Sequence, residues 1–174
     1  MTSAERDAAY VEFVVSRQTR LRRAAYALCG DWHRADDLLQ TALTKLYVAW
    51  PRLVRQGGEE AYVRKILVSS HLDHVKRASS RREVVGADVD GEQGSPTGTV
   101  DDRDELITAL QQLPEMQRKV VVMRQVLDLS VEQTATELEI TTGTVKSHHS
   151  RGVARLHELL TDTTASTQGN EGRS

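Results

Sequence analysis

The stretch LSVEQTATELEITTGTVKSHHSRGVARLHELL, residues 129–160, decides the fold. Ser130 followed three residues later by Gln133 is a capping-box pattern, so a short helix is expected from Val131 to Leu138. A tight turn through Glu139–Thr142 follows, then a last helix from about Gly143 to Leu160. A short helix, a short turn and a second helix make a helix-turn-helix, whose second helix enters the DNA major groove. Ala135 stands where the two helices must approach closely, and Leu138, Ile140 and Val145 are the expected buried pins between them. On the last helix Val145, His149, Val153, Leu156 and Leu160 form the inward stripe. Thr144, Ser147, His148, Arg151 and Arg155 lie on the other side, flanked by Lys146 and Ser150. Residues 143–155 carry three basic side chains and no acidic one. The helix N-terminus adds partial positive charge and N–H groups suited to a phosphate. Paired helices with a short turn also occur without DNA; the small residue, the pins and the acid-free face together favour DNA. One local rule is broken at Glu139, a turn position often filled by glycine, where a left-handed backbone carries a steric cost.

The rest of the folded sequence follows the same helical period, and strand-like alternation is absent. Val11, Val14, Val15, Leu21, Ala25 and Leu28 mark one face of a first helix that Gly30 closes. Asp31 caps a second, with Ala35, Leu38, Leu39, Ala42, Leu46, Ala49 and Trp50 inward and Pro51 as its stop. Its opposite side carries Asp36, Asp37, Gln40, Thr44 and Lys45, with Leu43 and Tyr47 at the margin. A third helix is expected from about Glu59 to Arg82, packing through Tyr62, Val63, Ile66 and Leu67. Further on, Asp102 and Glu105 form a capping-box pattern before Leu106, Ile107 and Leu110, and Pro114 opens a helix that turns Val120, Val121 and Leu127 inward. The expected fold is all-α.

Charge divides the 174 residues into segments that the net charge of −2 conceals. Residues 1–82 hold 15 basic and 9 acidic side chains; residues 83–105 hold 8 acidic and 1 basic. The acidic stretch also contains Gly86, Gly91, Gly94, Pro96 and Gly98, a composition that cannot bury enough surface to offset its ordering entropy. The expected organisation is therefore a helical domain at 1–82, a flexible acidic linker at 83–101, a second helical domain with the helix-turn-helix at 102–160, and a disordered tail at 161–174. Aromatic residues make up only 4%, which argues against a large aromatic-lined cavity. The single cysteine, Cys29, excludes an internal disulfide or a thiolate-rich zinc site and fits a reducing compartment. No apolar run approaches the roughly 20 residues of a spanning helix, and the N-terminus has no signal-peptide character, so a cytoplasmic chain is expected.

Arg64, Lys65, Lys76, Arg77, Arg81 and Arg82 are set against Asp73 alone in the third helix, a strip suited to neutralising phosphates. A solvated helix face is the plainer alternative, weakened by the second nucleic-acid candidate in the same chain. Two DNA-contacting units on one linker gain affinity through effective concentration when the linker spans both sites.

With these residues in place, the chain resembles the extracytoplasmic-function (ECF, group 4) sigma factors of bacterial RNA polymerase, with likeness to the actinobacterial SigE-like branch. LRRAAYALCGDWHRADDLLQTALTKLYVAW (21–50) is similar to the family's core-polymerase-binding segment, AYVRKILVSSHLDHVKRASSRRE (61–83) to its promoter −10 segment, and LPEMQRKVVVMRQVLDLSVEQTATELEITTGTVKSHHSRGVARL (113–156) to its −35-binding region. The resemblance implies a dissociable promoter-specificity subunit without catalytic residues, cofactor or metal. Asp36, Asp37, Leu38 and Gln40, with Thr44 and Tyr47 on the same segment, would dock on the clamp helices of the polymerase β′ subunit. Periodicity agrees for the polar positions, whereas Leu38 lies on the apolar stripe. Arg64, Lys65, Lys76, Arg77, Arg81 and Arg82 would hold and help open −10 DNA, whose unstacked bases can be read as single strand. Thr144, Lys146, Ser147, His148, Arg151 and Arg155 would contact the −35 duplex. The second unit should also touch the β flap, the linker should thread toward the RNA exit path, and an anti-sigma factor is an expected class of partner. His149 stands where the family usually has an apolar residue, and Glu139 where it usually has glycine.

A conventional dimeric helix-turn-helix repressor is the competing expectation, but it leaves residues 1–82 unexplained. His71 with His74, or His148 with His149, lack the acidic company a metal site needs. Cys29, Trp32 and Trp50 read as packing residues, and no nucleophilic triad, phosphate-cradling glycine loop or paired-carboxylate cleft is present.

Overall fold

The computed structural model describes residues 1–71 and 102–168, with the side chains at 102–104 and 163–168 outside that set. The chain forms two compact units, Met1–Pro96 and Thr97–Ser174. Every regular element among the described residues is helical, as the periodicity predicts.

In the first unit α1 (Ser3–Cys29) starts at a full capping box: Thr2 Oγ1 accepts from the Glu5 N–H at 3.2 Å, and the Thr2 N–H donates to Glu5 Oε2 at 2.6 Å. Gly30 closes α1 in the left-handed region, φ 73°, its N–H bonded to the Tyr26 carbonyl. One residue on, Asp31 caps α2 (Trp32–Gln56) by accepting from the Arg34 N–H at 2.8 Å. Residues 59–71 form α3.

These helices bury Leu21, Ala24, Ala25 and Leu28 of α1 against Ala35, Leu38, Leu39, Ala42 and Leu46 of α2 and Val63, Ile66 and Leu67 of α3. The front of α1 is rotated from the expected face: Val11 is 57% and Val15 64% exposed, and Phe13 is buried in their place. An aromatic cluster sets this rotation. Trp50 lies 5.4 Å from Phe13 and 5.3 Å from Tyr10, ring centre to ring centre, and its indole N–H donates to the Arg6 carbonyl at 2.9 Å. With 13 inward, positions two residues away are turned by about 200° and must face water. Pro51 also fails to stop α2, which continues to Gln56. Its ring sits on the exposed side, and Leu53 beyond it is buried, so the core carries the helix past the missing donor.

In the second unit α4 (Asp102–Gln111) and α5 (Glu115–Val121) are joined through Pro114, which occupies the N-cap position rather than the first turn. The end of α5 widens into one π turn, Val122–Val126, in which the Leu127 N–H reaches back to the Val122 carbonyl. Arg124 then donates to the Leu129 carbonyl and ties down the connection to α6 (Val131–Leu138). Ser130 and Gln133 form the predicted capping box at 3.0 and 2.9 Å. Glu139 adopts the left-handed region, φ 56° and ψ 40°, and the Ile140 N–H bonds back to the Ala135 carbonyl. α7 (Thr142–Gln168) runs past Leu160, where the periodicity ends it. Val120, Ala135 and Val145 form the centre of the helix-turn-helix, with Val131, Leu138 and Ile140 packed around them. The inward stripe of α7 runs through Gly152 rather than Val153, which is 41% exposed, because α5 lies directly against the α7 backbone at that glycine.

Candidate nucleic-acid and partner interfaces

The outer side of α2 presents Asp37, Gln40, Thr44 and Tyr47, all exposed, with Asp36 half-buried at its edge; spacing of three to four residues brings them to one face. Leu38 is not part of it. At 2% exposure it belongs to the core and supports the face from beneath, as the apolar stripe requires. Asp36 is held by Arg22 of α1 in a two-pronged pair, Nε–Oδ1 2.6 Å and Nη2–Oδ2 3.0 Å. That hydrogen bonding, ahead of simple charge attraction, pulls the Asp36 carboxyl below its ordinary range. The Arg22 guanidinium also lies 4.4 Å from the Trp32 ring centre, and Trp32 stacks on Tyr26 at 3.8 Å and 7°. Trp32, expected as packing, is 41% exposed and lines an open cleft of about 310 Å³ with Gln18, Thr19, Arg22, Arg23 and Leu39. Tyr47 meets Tyr10 edge-on at 5.0 Å and donates to Asp7 Oδ1 at 3.3 Å. Burial, then Tyr47, raises the Tyr10 hydroxyl pKa; Tyr10 donates to the Leu43 carbonyl. Nothing in sequence spacing signals the Arg22–Asp36 pair or the ring stack, since they join two helices across the Gly30 turn.

The basic strip divides. Lys65 is exposed, but Arg64 is 8% exposed with Nη1 3.3 Å from Glu60 Oε1, and Glu60 also receives Arg17 of α1 at 3.3 Å. Arg64 therefore tethers α3 inside the unit instead of offering its charge outward. The i, i+4 spacing of Glu60 and Arg64 is the sequence signal for this. Lys76, Arg77, Arg81 and Arg82 lie outside the described residues, as does His74. His71 is buried with Nδ1 3.7 Å from Cys29 Sγ, and Cys29 is half-buried rather than buried. Among the described residues no group of three or more His, Cys, Asp or Glu side chains is placed to hold a metal ion.

On α7, Lys146, Ser147, Arg151 and Arg155 are exposed, while Thr144 and His148 are half-buried. Thr141 opens the helix: its Oγ1 accepts from the Thr144 N–H at 3.1 Å and lies 2.8 Å from Thr144 Oγ1. Arg155 leans on Glu158 at 3.0 Å, an exposed pair that a phosphate can displace. His149 turns away from this face. Its Nε2 lies 3.1 Å from Gln125 Nε2 in the π turn, and burial followed by the charge of Arg124 lowers its pKa. The arrangement is a positive helix face with a donor-rich start, set on a rigid turn, and it has no chemistry for bond making or breaking. Among the described residues no helix is long and apolar enough to cross a membrane.

Residues 13–81 match Sigma-70 region 2, and residues 103–156 match Sigma-70, region 4. The chain is 36% identical to the RNA polymerase sigma-E factor of Streptomyces avermitilis over 158 residues, covering 87% of this chain and 84% of that protein. It is 31% identical to the ECF RNA polymerase sigma factor SigM of Mycobacterium tuberculosis, covering 81% and 71%. Among solved structures it is similar in fold to the sigma factor RpoE of Bartonella quintana, crystallised with the anti-sigma factor NepR, with a TM-score of 0.74, 22% identity and coverage of 88% and 97%. CnrH in complex with the cytosolic domain of CnrY follows at a TM-score of 0.65 and 19% identity. A stand-alone repressor finds no support in these matches, whose two regions occur here in one chain. A capped helix-turn-helix with an acid-free outer face, preceded by a region 2 unit, places the chain in the ECF family of RNA polymerase sigma factors, of the actinobacterial SigE-like kind.

Proposed function

We propose that this sigma factor directs initiation by dividing the work between its units. The first, residues 1–82, docks on the β′ clamp helices of core polymerase through Asp36, Asp37, Gln40, Thr44 and Tyr47, and meets −10 DNA through Lys65 and the basic residues Lys76, Arg77, Arg81 and Arg82. The second, residues 102–160, lays α7 in the major groove of the −35 duplex, with Thr144, Lys146, Ser147, His148, Arg151 and Arg155 toward the DNA, and touches the β flap. Residues 83–101 serve as the acidic tether along the RNA exit path. The chain works in the cytoplasm, performs no catalysis of its own, and is open to capture by an anti-sigma factor, as RpoE is by NepR.

One observation supports this assignment above the others: the exposed polar face of α2, with Asp36 fixed by Arg22, occurs in the same chain as the exposed Lys146–Arg151 face of α7. Asp37→Arg reverses charge at a fully solvated position of the first face and leaves the core untouched. The variant should keep its helical circular dichroism and fail to co-elute with core polymerase on gel filtration. Undiminished co-elution would remove α2 from the docking surface.

A further inference from the structure

His149 is the one histidine of α7 that bonds to the π turn, and the geometry of that bond depends on its protonation. The Gln125 amide nitrogen is a donor, so the ring nitrogen 3.1 Å away must accept. Only a neutral imidazole carrying its proton on Nδ1 offers an acceptor at Nε2. Turning the Gln125 amide over would present Oε1 to a protonated ring, yet the new charge would still sit half-buried beside Arg124. Arg124 is fixed in that place by its bond to the Leu129 carbonyl and cannot withdraw without opening the α5–α6 connection.

Other charged side chains surround this point. α6 carries Glu132 and Glu137, α5 carries Glu115, Arg118 and Lys119, and α7 itself carries Lys146 and Arg151. Glu115 is engaged by Lys119 at 3.1 Å, and the charge that acts on the ring is that of Arg124. Burial and Arg124 both favour the neutral ring, so the folded unit resists protonation that a solvated histidine accepts near pH 6.5.

His149 follows His148 and lies two residues before Arg151. Whatever fixes the rotation of α7 at 149 fixes the direction of the outward side chains next to it. We propose that His149 is a proton-controlled positioning residue: neutral, it ties α7 to the π turn through Gln125 and aims the outer face at duplex DNA; protonated, it releases that tie and weakens duplex binding. This rests on the assignment of α7 as the duplex-reading helix. Acidification also charges His148 on the outer face, which strengthens phosphate attraction, so the effect is read as a difference between variants.

The test uses holoenzyme reconstituted from core polymerase and the full chain, with a duplex selected from a randomised library at pH 8. Affinities are measured from pH 8 to 5.5 for the wild type, His149→Gln, Gln125→Ala and Arg151→Ala. Glutamine at 149 can still accept from Gln125 but does not titrate. Relative to His149→Gln, the wild type should lose about three- to tenfold in affinity across this range, the scale of one hydrogen bond. Gln125→Ala should start weaker and show no such relative loss. In the free protein, ¹⁵N shifts of the His149 ring should show the neutral form protonated at Nδ1 and a midpoint below 6.5. Parallel pH profiles for wild type and His149→Gln, with Arg151→Ala impaired, overturn the proton control alone. An unimpaired Arg151→Ala overturns it together with the assignment of α7.

Discussion

Gly152 of α7 and Val121 of α5 meet so closely that a Cβ on Gly152 would stand 2.7 Å from Val121 Cγ2, with the Gln117 carbonyl oxygen and Cβ each 3.5 Å away. Val121 is 4% exposed and β-branched, so it has little freedom to move aside. Gly152→Ala gains about 1 kcal/mol of helix propensity. Overpacking costs about 1–3 kcal/mol, and at this separation the cost prevails. The variant should lose about 1 kcal/mol of stability in the second unit. Amide exchange at Val120–Met123 in the full chain measures it.

The Arg22–Asp36 pair predicts an acid response in the first unit. Asp36 has a folded pKa below 3.8, so its contribution is complete above that pH and is lost as the pH falls through the lowered midpoint. Carboxyl NMR should place the Asp36 midpoint below 3.8, and Arg22→Ala should move it upward. An unchanged midpoint in that variant would show that Arg22 does not hold the carboxylate.

Glu139 occupies a left-handed conformation that costs a non-glycine residue about 1–2 kcal/mol. Glu139→Gly relieves that strain, at some cost from a more flexible unfolded chain. Thermal unfolding should show the second unit stabilised by about 0.5–1 kcal/mol, with DNA affinity changed little.

Pro51→Ala restores a backbone donor within α2 and should stabilise the first unit by about 1–2 kcal/mol, less than the full proline penalty because the native helix has adapted to the ring. Trp50, buried next to it, reports the transition by fluorescence.

Arg151 is exposed on the acid-free face, and Arg151→Ala should weaken duplex binding by about 1–3 kcal/mol where the side chain reads a base edge. Run-off transcription on a bound promoter checks it; undiminished output would move the reading residue elsewhere on α7.

Much of this architecture was legible because helices announce their ends locally. Gly30, Asp31 and the Ser130–Gln133 box each lie within a few residues of the bonds they make. Rotation of a helix about its own axis was less legible. Phe13 is inside because Trp50, distant in sequence, packs against it, and no local pattern separates that face from the one bearing Val11 and Val15. Val153 was assigned inward for a similar reason, since a stripe drawn through large residues overlooks a glycine at the closest approach. For the candidate interface, the polar positions of α2 could be read directly. Arg64 was misassigned because a charged residue was taken to face solvent, although Glu60 stood one turn earlier to receive it. His149 stood out as a polar residue on an apolar stripe, but its partner Gln125 lies in a wide turn that has no sequence signature.

That wide turn has a consequence for the numbering of everything after it. Compared with an ordinary coil of the same rise, Val122–Val126 accommodates one surplus residue. Deleting a single position there would let the coil close normally, with no bond broken, but would swing the following segment by about 100°. A homologue shortened by one residue at this point would have to re-aim its reading helix by other means, whereas a substitution at the same place need not.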